Sequence, residues 1–141
     1  MDKSILVTLA AVALALPLTA CQPTVDRVDP AQRRAMPNLI DDERVSSQRG
    51  LRRELWVVEI RETTVGGDTL KVEAELENLR HRAQSYNYAF EWFDAEGMRL
   101  REPQWRTIRL QGNQRGNVSG VANTADAVDF RLHLQGSRQS R

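Results

Sequence analysis

The stretch SYNYAFEWFDAEGMRL, residues 85–100, decides the fold. Aromatic residues occupy every second position, Tyr86, Tyr88, Phe90 and Trp92, and the run closes on Asp94-Ala95-Glu96-Gly97. Successive side chains of a β-strand point to opposite faces, so this period of two gathers all four rings on one side of a strand over Ser85–Phe93. Gly97 suits the left-handed position of a three-residue hairpin loop with a bulge, a geometry that pairs Asp94 with Met98 and Trp92 with Leu100. The Asp94 side chain is expected to accept hydrogen bonds from amides of its own loop.

The same period extends on both sides. Upstream, Leu55-Trp56-Val57-Val58-Glu59-Ile60 reads as a strand. A second follows over Thr69–Leu76, with Leu70, Val72, Ala74 and Leu76 inward and Lys71, Glu73 and Glu75 toward water. Val65-Gly66-Gly67-Asp68 between them is a hairpin signal. A one-residue slip flips every side chain, so a two-residue loop would turn Trp56, Val58 and Ile60 away from the core. The odd loop Gly66-Gly67-Asp68 keeps both inward sets together and predicts Val58 opposite Leu76.

Downstream, Pro103 bars a central strand at its position. Trp105–Leu110, Asn117–Ala122 and Val128–Leu134 supply three more strands, and Gly112 and Gly116 bracket the turn between the first two. Ala122–Asp126 is a candidate helical turn. With no amphipathic helical period, six or seven short strands predict an all-β, antiparallel β-sandwich.

Ahead of the domain the composition changes. Pro23, Pro30 and Pro37 punctuate a charged stretch of few apolar residues, which reads as an extended tether. Asn38-Leu39-Ile40 is a candidate edge strand where the fold begins. The domain boundaries expected are a leader over 1–20, Cys21 and tether over 21–50, the sandwich over 51–136 and a frayed tail over 137–141. Arg33, Arg34, Arg49, Arg52 and Arg53 give the tether a basic stretch, offset by Asp41, Asp42, Glu43 and Glu54, and expected to be solvated.

Met1–Ala20 carries Lys3 and then an apolar run from Ile5 to Leu16, too short for a bilayer span of roughly 20 residues. It has the layout of a secretory signal peptide. Leu18-Thr19-Ala20-Cys21 resembles the bacterial lipoprotein box, in which the cysteine takes a diacylglyceryl group and becomes the acylated N-terminus after cleavage. That use accounts for a single cysteine in an exported chain, where an odd thiol otherwise suggests intermolecular pairing or reactivity. Two or more acyl chains anchor stably, at about 0.8 kcal/mol per buried CH₂. Gln22 follows the cysteine in place of the aspartate that marks retention at the inner membrane, so the resemblance implies an outer-membrane lipoprotein facing the periplasm.

Removing 20 residues from 141 leaves 121, enough for one domain plus its tether. The net charge of +1 lacks the basic excess of a nucleic-acid binder. No intrachain disulfide is possible, so burial must hold the fold.

Tyr88-x-Phe90-x-Trp92-Phe93-Asp94-x-x-Gly97-x-x-Leu100, followed by Trp105 and Ala127-x-Asp129-Phe130-Arg131-Leu132, resembles the YcfL family of small proteobacterial periplasmic lipoproteins. The likeness spans roughly Leu70 to Leu134. It implies an immunoglobulin-like β-fold on a lipid anchor, and it supplies no catalytic residues to carry over.

Six of the eight aromatic residues lie between Tyr86 and Trp105. Phe90 and Trp92 are expected in the core, as bulky fillers of a small sandwich. Tyr86, Tyr88 and Trp105 are the candidate ligand-binding residues, through stacking on sugar rings or contact with a lipid or protein. His81 and His133 have no metal-ligand spacing and are expected to be solvated. Ser85, Thr107 and Ser119 lack the context of an activated nucleophile, and the turn glycines form no phosphate loop. The sequence therefore predicts a noncatalytic module without metal or cofactor. It is tethered through Cys21 and meets a periplasmic or envelope protein, with a glycan- or lipid-binding domain as the alternative.

Overall fold

The computed structural model describes residues 37–137. The leader, Cys21, the proline-rich part of the tether and the last four residues lie outside them. Seven strands are present: β1 (Val45–Ser47), β2 (Leu55–Val65), β3 (Thr69–Asn78), β4 (Gln84–Phe93), β5 (Arg106–Leu110), β6 (Arg115–Val121) and β7 (Asp129–Gly136). They form two sheets, one ordered β1-β7-β4-β5 and the other β2-β3-β6. All pairings are antiparallel except β1 with β7, which is parallel. The described residues thus form an all-β sandwich.

The aromatic strand behaves as its period dictates. Tyr86, Phe90 and Trp92 are buried and Tyr88 is half-buried. Their face packs with Phe130, Leu132 and Leu134 of β7 against Leu55, Val57, Val72, Ala74, Leu76 and Val118 of the other sheet. Phe90 stacks on Trp92 at 5.8 Å. After β4 the chain turns as expected: Asp94 N donates to Met98 O, Leu100 N donates to Trp92 O, and Gly97 sits at φ +77. Asp94 Oδ1 accepts from the amides of Glu96 (3.1 Å) and Met98 (2.7 Å).

The β2–β3 hairpin has the odd loop, with Val65 paired to Thr69 around Gly66-Gly67-Asp68. Its far end departs from the expected register. A bulge between Val57 and Glu59 puts Val57, not Val58, opposite Leu76. The extra residue swaps faces, so Leu55 and Val57 point inward before the bulge and Ile60 after it, while Trp56 and Val58 are only half-buried. A strand with four consecutive apolar residues offers either set to the core, and the bulge lets it use both parts.

The N-terminal boundary also differs. Asn38-Leu39-Ile40 is not a strand, because Leu39–Asp41 forms a 3₁₀ turn capped by Asn38. Asn38 Oδ1 accepts from Ile40 N (3.1 Å) and Val57 N (2.9 Å), and its amide reaches Leu55 O (3.4 Å). One asparagine thereby satisfies backbone groups on the open edge of β2. The edge strand is β1 instead, and Ile40 and Val45 are buried. The segment read as tether up to residue 50 is folded from Asn38 onward. At the other end, Ala122–Asp126 is a turn held by Thr124 and Asp126 rather than a helical one.

A buried polar knot ties β3 to the loops around it. Asn78 is fully buried, and its Nδ2 donates to the carbonyls of Arg82 (2.9 Å), Gln111 (2.9 Å) and Leu110 (3.3 Å). Its Oδ1 accepts from Arg80 N (3.0 Å) and from the Tyr86 hydroxyl (2.9 Å), which also lies 3.1 Å from Glu54 O. Burial, helped by the charge of Glu54 and opposed by that of Arg80, pushes the Tyr86 hydroxyl up to about 12. It therefore remains a donor at ordinary pH.

Candidate functional site

Strand register assembles a polar surface on the outer face of the four-stranded sheet, behind the aromatics. Residues of β4 that alternate with the rings, Asn87, Ala89 and Glu91, face outward there. The pairings align Ser46, His133 and Ala89 in one row across β1, β7 and β4, and Gln135, Asn87 and Thr107 in the next across β7, β4 and β5. Trp105 directly precedes β5 and extends the first row. The small side chain of Ala89 leaves room for its ring to approach the His133 ring, 6.1 Å between centroids.

His133 is the hub. Its Nε2 lies 2.7 Å from Glu91 Oε2, and Arg99 lies 3.4 Å from the other carboxylate oxygen. Glu91 is only 8% exposed. Burial works to raise its pKa, but the His133 hydrogen bond and charge, with Arg99 behind them, outweigh it and hold the carboxyl below its ordinary value. An ionised Glu91 accepts only, so Nε2–H of His133 donates to it and Nδ1 is the ring nitrogen left for a ligand. Nδ1 has no hydrogen-bond partner among the described residues.

These groups border a groove of about 670 Å³ that runs from Trp105 over His133, Asn87 and Gln135 to Ser46 and Gln48. Asn87 Oδ1 accepts from the Thr107 hydroxyl (2.8 Å), which turns the amide Nδ2 outward. Gln48 Oε1 accepts from Gly136 N (3.2 Å) and fixes one wall.

The structure separates the three candidate ligand-binding residues. Tyr86 is 1% exposed and committed to the Asn78 knot, so neither its ring nor its hydroxyl is available to a ligand. Tyr88 lies between the sheets at the mouth of a smaller cleft of about 80 Å³, beside Phe90, Trp92, Arg101 and Arg106. Trp105 alone is on the outer face, 47% exposed. Their common place in the sequence hides this, because Tyr86 and Tyr88 share a strand face that Trp105 does not.

His133 corrects the expectation of a solvated histidine without a carboxylate nearby. Its partner is 42 residues away and is brought to it by the β4–β7 pairing. The available signal was Glu91 itself, a carboxylate between Phe90 and Trp92 that must face away from them. His81 is exposed, with Nδ1 3.3 Å from Asn113 Nδ2. Of the basic stretch, Arg49, Arg52 and Arg53 are exposed, and Arg52 pairs with Asp41 at 2.9 Å. Among the described residues no three His, Cys, Asp or Glu side chains are grouped to hold a metal ion. No described helix is long and apolar enough to cross a membrane.

The depressed Glu91 titration gives a stability prediction. A carboxyl lowered in the folded state contributes stability above its unfolded value, near 4.5, and loses it as pH falls through the folded value. Thermal melts from pH 6 to pH 2 should show the gap between the native chain and Glu91→Gln narrowing below about pH 4.5. A gap that is constant over this range contradicts the assignment.

Comparison with known proteins follows the sandwich closely. Residues 42–136 match a family model described as protein of unknown function (DUF1425). The crystal structure of Campylobacter jejuni cj0090 superposes with a TM-score of 0.56 at 22% identity, over 66% of this chain and 97% of that one. A DUF1425 family member from Shewanella sp. pv-4 gives 0.55 at 19% identity, over 61% of this chain and 81% of that one. At these identities the likeness concerns the fold. No curated protein matches.

Proposed function

The chain belongs to the DUF1425 family, whose description carries no activity to inherit, and from that premise we propose that it is a noncatalytic binding module anchored in the outer membrane through acylated Cys21 and facing the periplasm, of the YcfL lipoprotein type. The observation that carries the binding reading is the outer-face groove, where an exposed tryptophan stands beside side-chain amides and an imidazole with unused hydrogen-bonding atoms. Pockets that hold ligands combine an aromatic or apolar wall with a few placed polar groups in this way. Anchoring supports it, because a domain confined to the membrane surface meets envelope partners at a raised effective concentration. The expected partner, an envelope protein or a glycan, is met at the Trp105 face.

The anchor is tested by metabolic labelling with a palmitate analogue and membrane fractionation. The native chain should take the label and fractionate with the outer membrane. Cys21→Ser should take none and be released or left with its leader uncut. Normal processing and membrane recovery of the serine variant would remove the anchor.

A further inference from the structure

The lining of the Trp105 groove narrows the chemistry of what it holds. Among the described residues on its wall none is a carboxylate, an ammonium or a guanidinium, and the one ionisable side chain is the His133 imidazole. A phosphate or an acidic headgroup would meet no described lysine or arginine on that wall. Glu91, the acid that His133 contacts, is already bonded to it and to Arg99.

Backbone on the floor of the groove is committed, and the open edges of this sheet are the outer sides of β1 and β5. β7, the floor of the groove, is hydrogen-bonded to β1 on one side and β4 on the other, so it offers no open edge to which an extended peptide could add as a strand. Recognition falls to side chains that together donate and accept: the outward Nδ2 of Asn87, the amide of Gln135, the hydroxyl of Ser46 and the unbonded Nδ1 of His133. Among the described residues none of the atoms so offered has a protein partner. Sugar hydroxyls donate and accept at once and match such a set. The apolar C–H face of a pyranose ring has its counterpart in the exposed indole of Trp105, an amphipathic platform that loses little entropy on contact.

We propose that the outer-face groove binds a neutral saccharide, with one sugar ring lying on Trp105 and its hydroxyls held by Asn87, Gln135 and His133. This rests on the Trp105 face being the binding surface. His133 is oriented through Nε2 by Glu91, which leaves Nδ1 for the sugar, and Arg99 holds Glu91 in turn. A volume of about 670 Å³ accommodates a short oligosaccharide rather than a long chain along the whole sheet.

The test uses the full-length protein in a detergent without a sugar headgroup, titrated calorimetrically with chitotetraose, which carries acetamido groups, and with cellotetraose, which carries hydroxyls alone. Saturable binding of at least one is expected, weakened about tenfold or more, equivalent to about 1.4 kcal/mol, by Trp105→Ala. The paired change Asn87→Ala with Gln135→Ala should weaken it comparably. Trp56→Phe, on the other sheet, should leave it unchanged. Binding of chitotetraose alone assigns the source to an N-acetylated glycan, and binding of both to a plain pyranose. Trp105 is half-exposed, so its alanine variant should melt with the native chain, which separates lost binding from lost fold. No response to either sugar, or a response that Trp105→Ala leaves intact, overturns the saccharide. With acylation of Cys21 and occupancy of the Trp105 face still observed, such a failure removes the ligand class and leaves the anchored module standing.

Discussion

Replacing Asn78 with leucine should lower the melting temperature by roughly 15 °C. Leucine has the same branching but larger methyl ends, so overpacking adds to the lost hydrogen bonds. What is lost is a partner shared by four backbone groups, the carbonyls of Arg82, Leu110 and Gln111 and the amide of Arg80, of which Gln111 O keeps the Gln114 amide (3.2 Å). A buried polar group left unpaired costs about 1–3 kcal/mol. Some of these groups lie near water and recover a bond there, which puts the sum at about 3 kcal/mol. For a domain of this size each kcal/mol moves the midpoint by about 4–8 °C.

Tyr86→Phe provides the contrast. Without the hydroxyl, Asn78 Oδ1 keeps the Arg80 amide and Glu54 O keeps the Leu79 amide (2.8 Å), so no acceptor is orphaned. The cost should be about 1 kcal/mol, a typical single hydrogen bond. If both variants melt within a few degrees of the native chain, the knot is not what joins the loops to β3.

The second large effect is expected at Gly112. A Cβ there would lie 2.3 Å from the carbonyl oxygen of His81 and 2.4 Å from its carbon. Both are backbone atoms, so no side-chain rotation relieves the clash. The turn between β5 and β6 must lift off the loop between β3 and β4. That movement strains Asn113 N to Arg80 O (3.0 Å) and the Asn78 bond to Arg82 O. Gly112→Ala should therefore cost about 2–3 kcal/mol, the upper part of the overpacking range. Because it disturbs the same contacts as Asn78→Leu, the double variant should be less destabilised than the sum of the two. Chemical denaturation of the four chains checks this. Strict additivity would show that the glycine and the asparagine act on separate parts of the fold.

The fold was legible wherever one strand carried its own signal. The period of two over Tyr86–Trp92, the Asp94–Gly97 turn and the odd β2–β3 loop are local facts, and each is realised in the structure. Three features were not legible because their cause is elsewhere in the chain. β1 is three residues long with one apolar side chain, and it exists because β7 offers it an edge. The bulge at Val58 follows from fitting Leu55 and Val57 to a core built by other strands. Asn38 looks like the start of a strand until its side chain is seen bonded to Val57 and Leu55, 17 to 19 residues on.

The candidate site follows the same division. Trp105 could be picked out from its place beside Pro103, at the start of the strand read over Trp105–Leu110. Tyr86 could not be told from a surface tyrosine, because its burial depends on a hydroxyl partner eight residues away across a turn. The Glu91–His133 pair requires knowing that β4 lies beside β7, information that no stretch of either strand contains.

The central claim, that the Trp105 face is occupied when the protein sits in its envelope, is open to one direct measurement: side-chain oxidation footprinting read by mass spectrometry, on intact envelopes and on the purified full-length chain. Trp105 is 47% exposed and should oxidise readily when purified, Met98 at 66% serves as an exposed standard, and Trp92 at 8% as a buried one. The account predicts that in envelopes Trp105 is protected several-fold while Met98 reacts as before. Equal oxidation of Trp105 in both preparations, with Met98 unchanged, would contradict it.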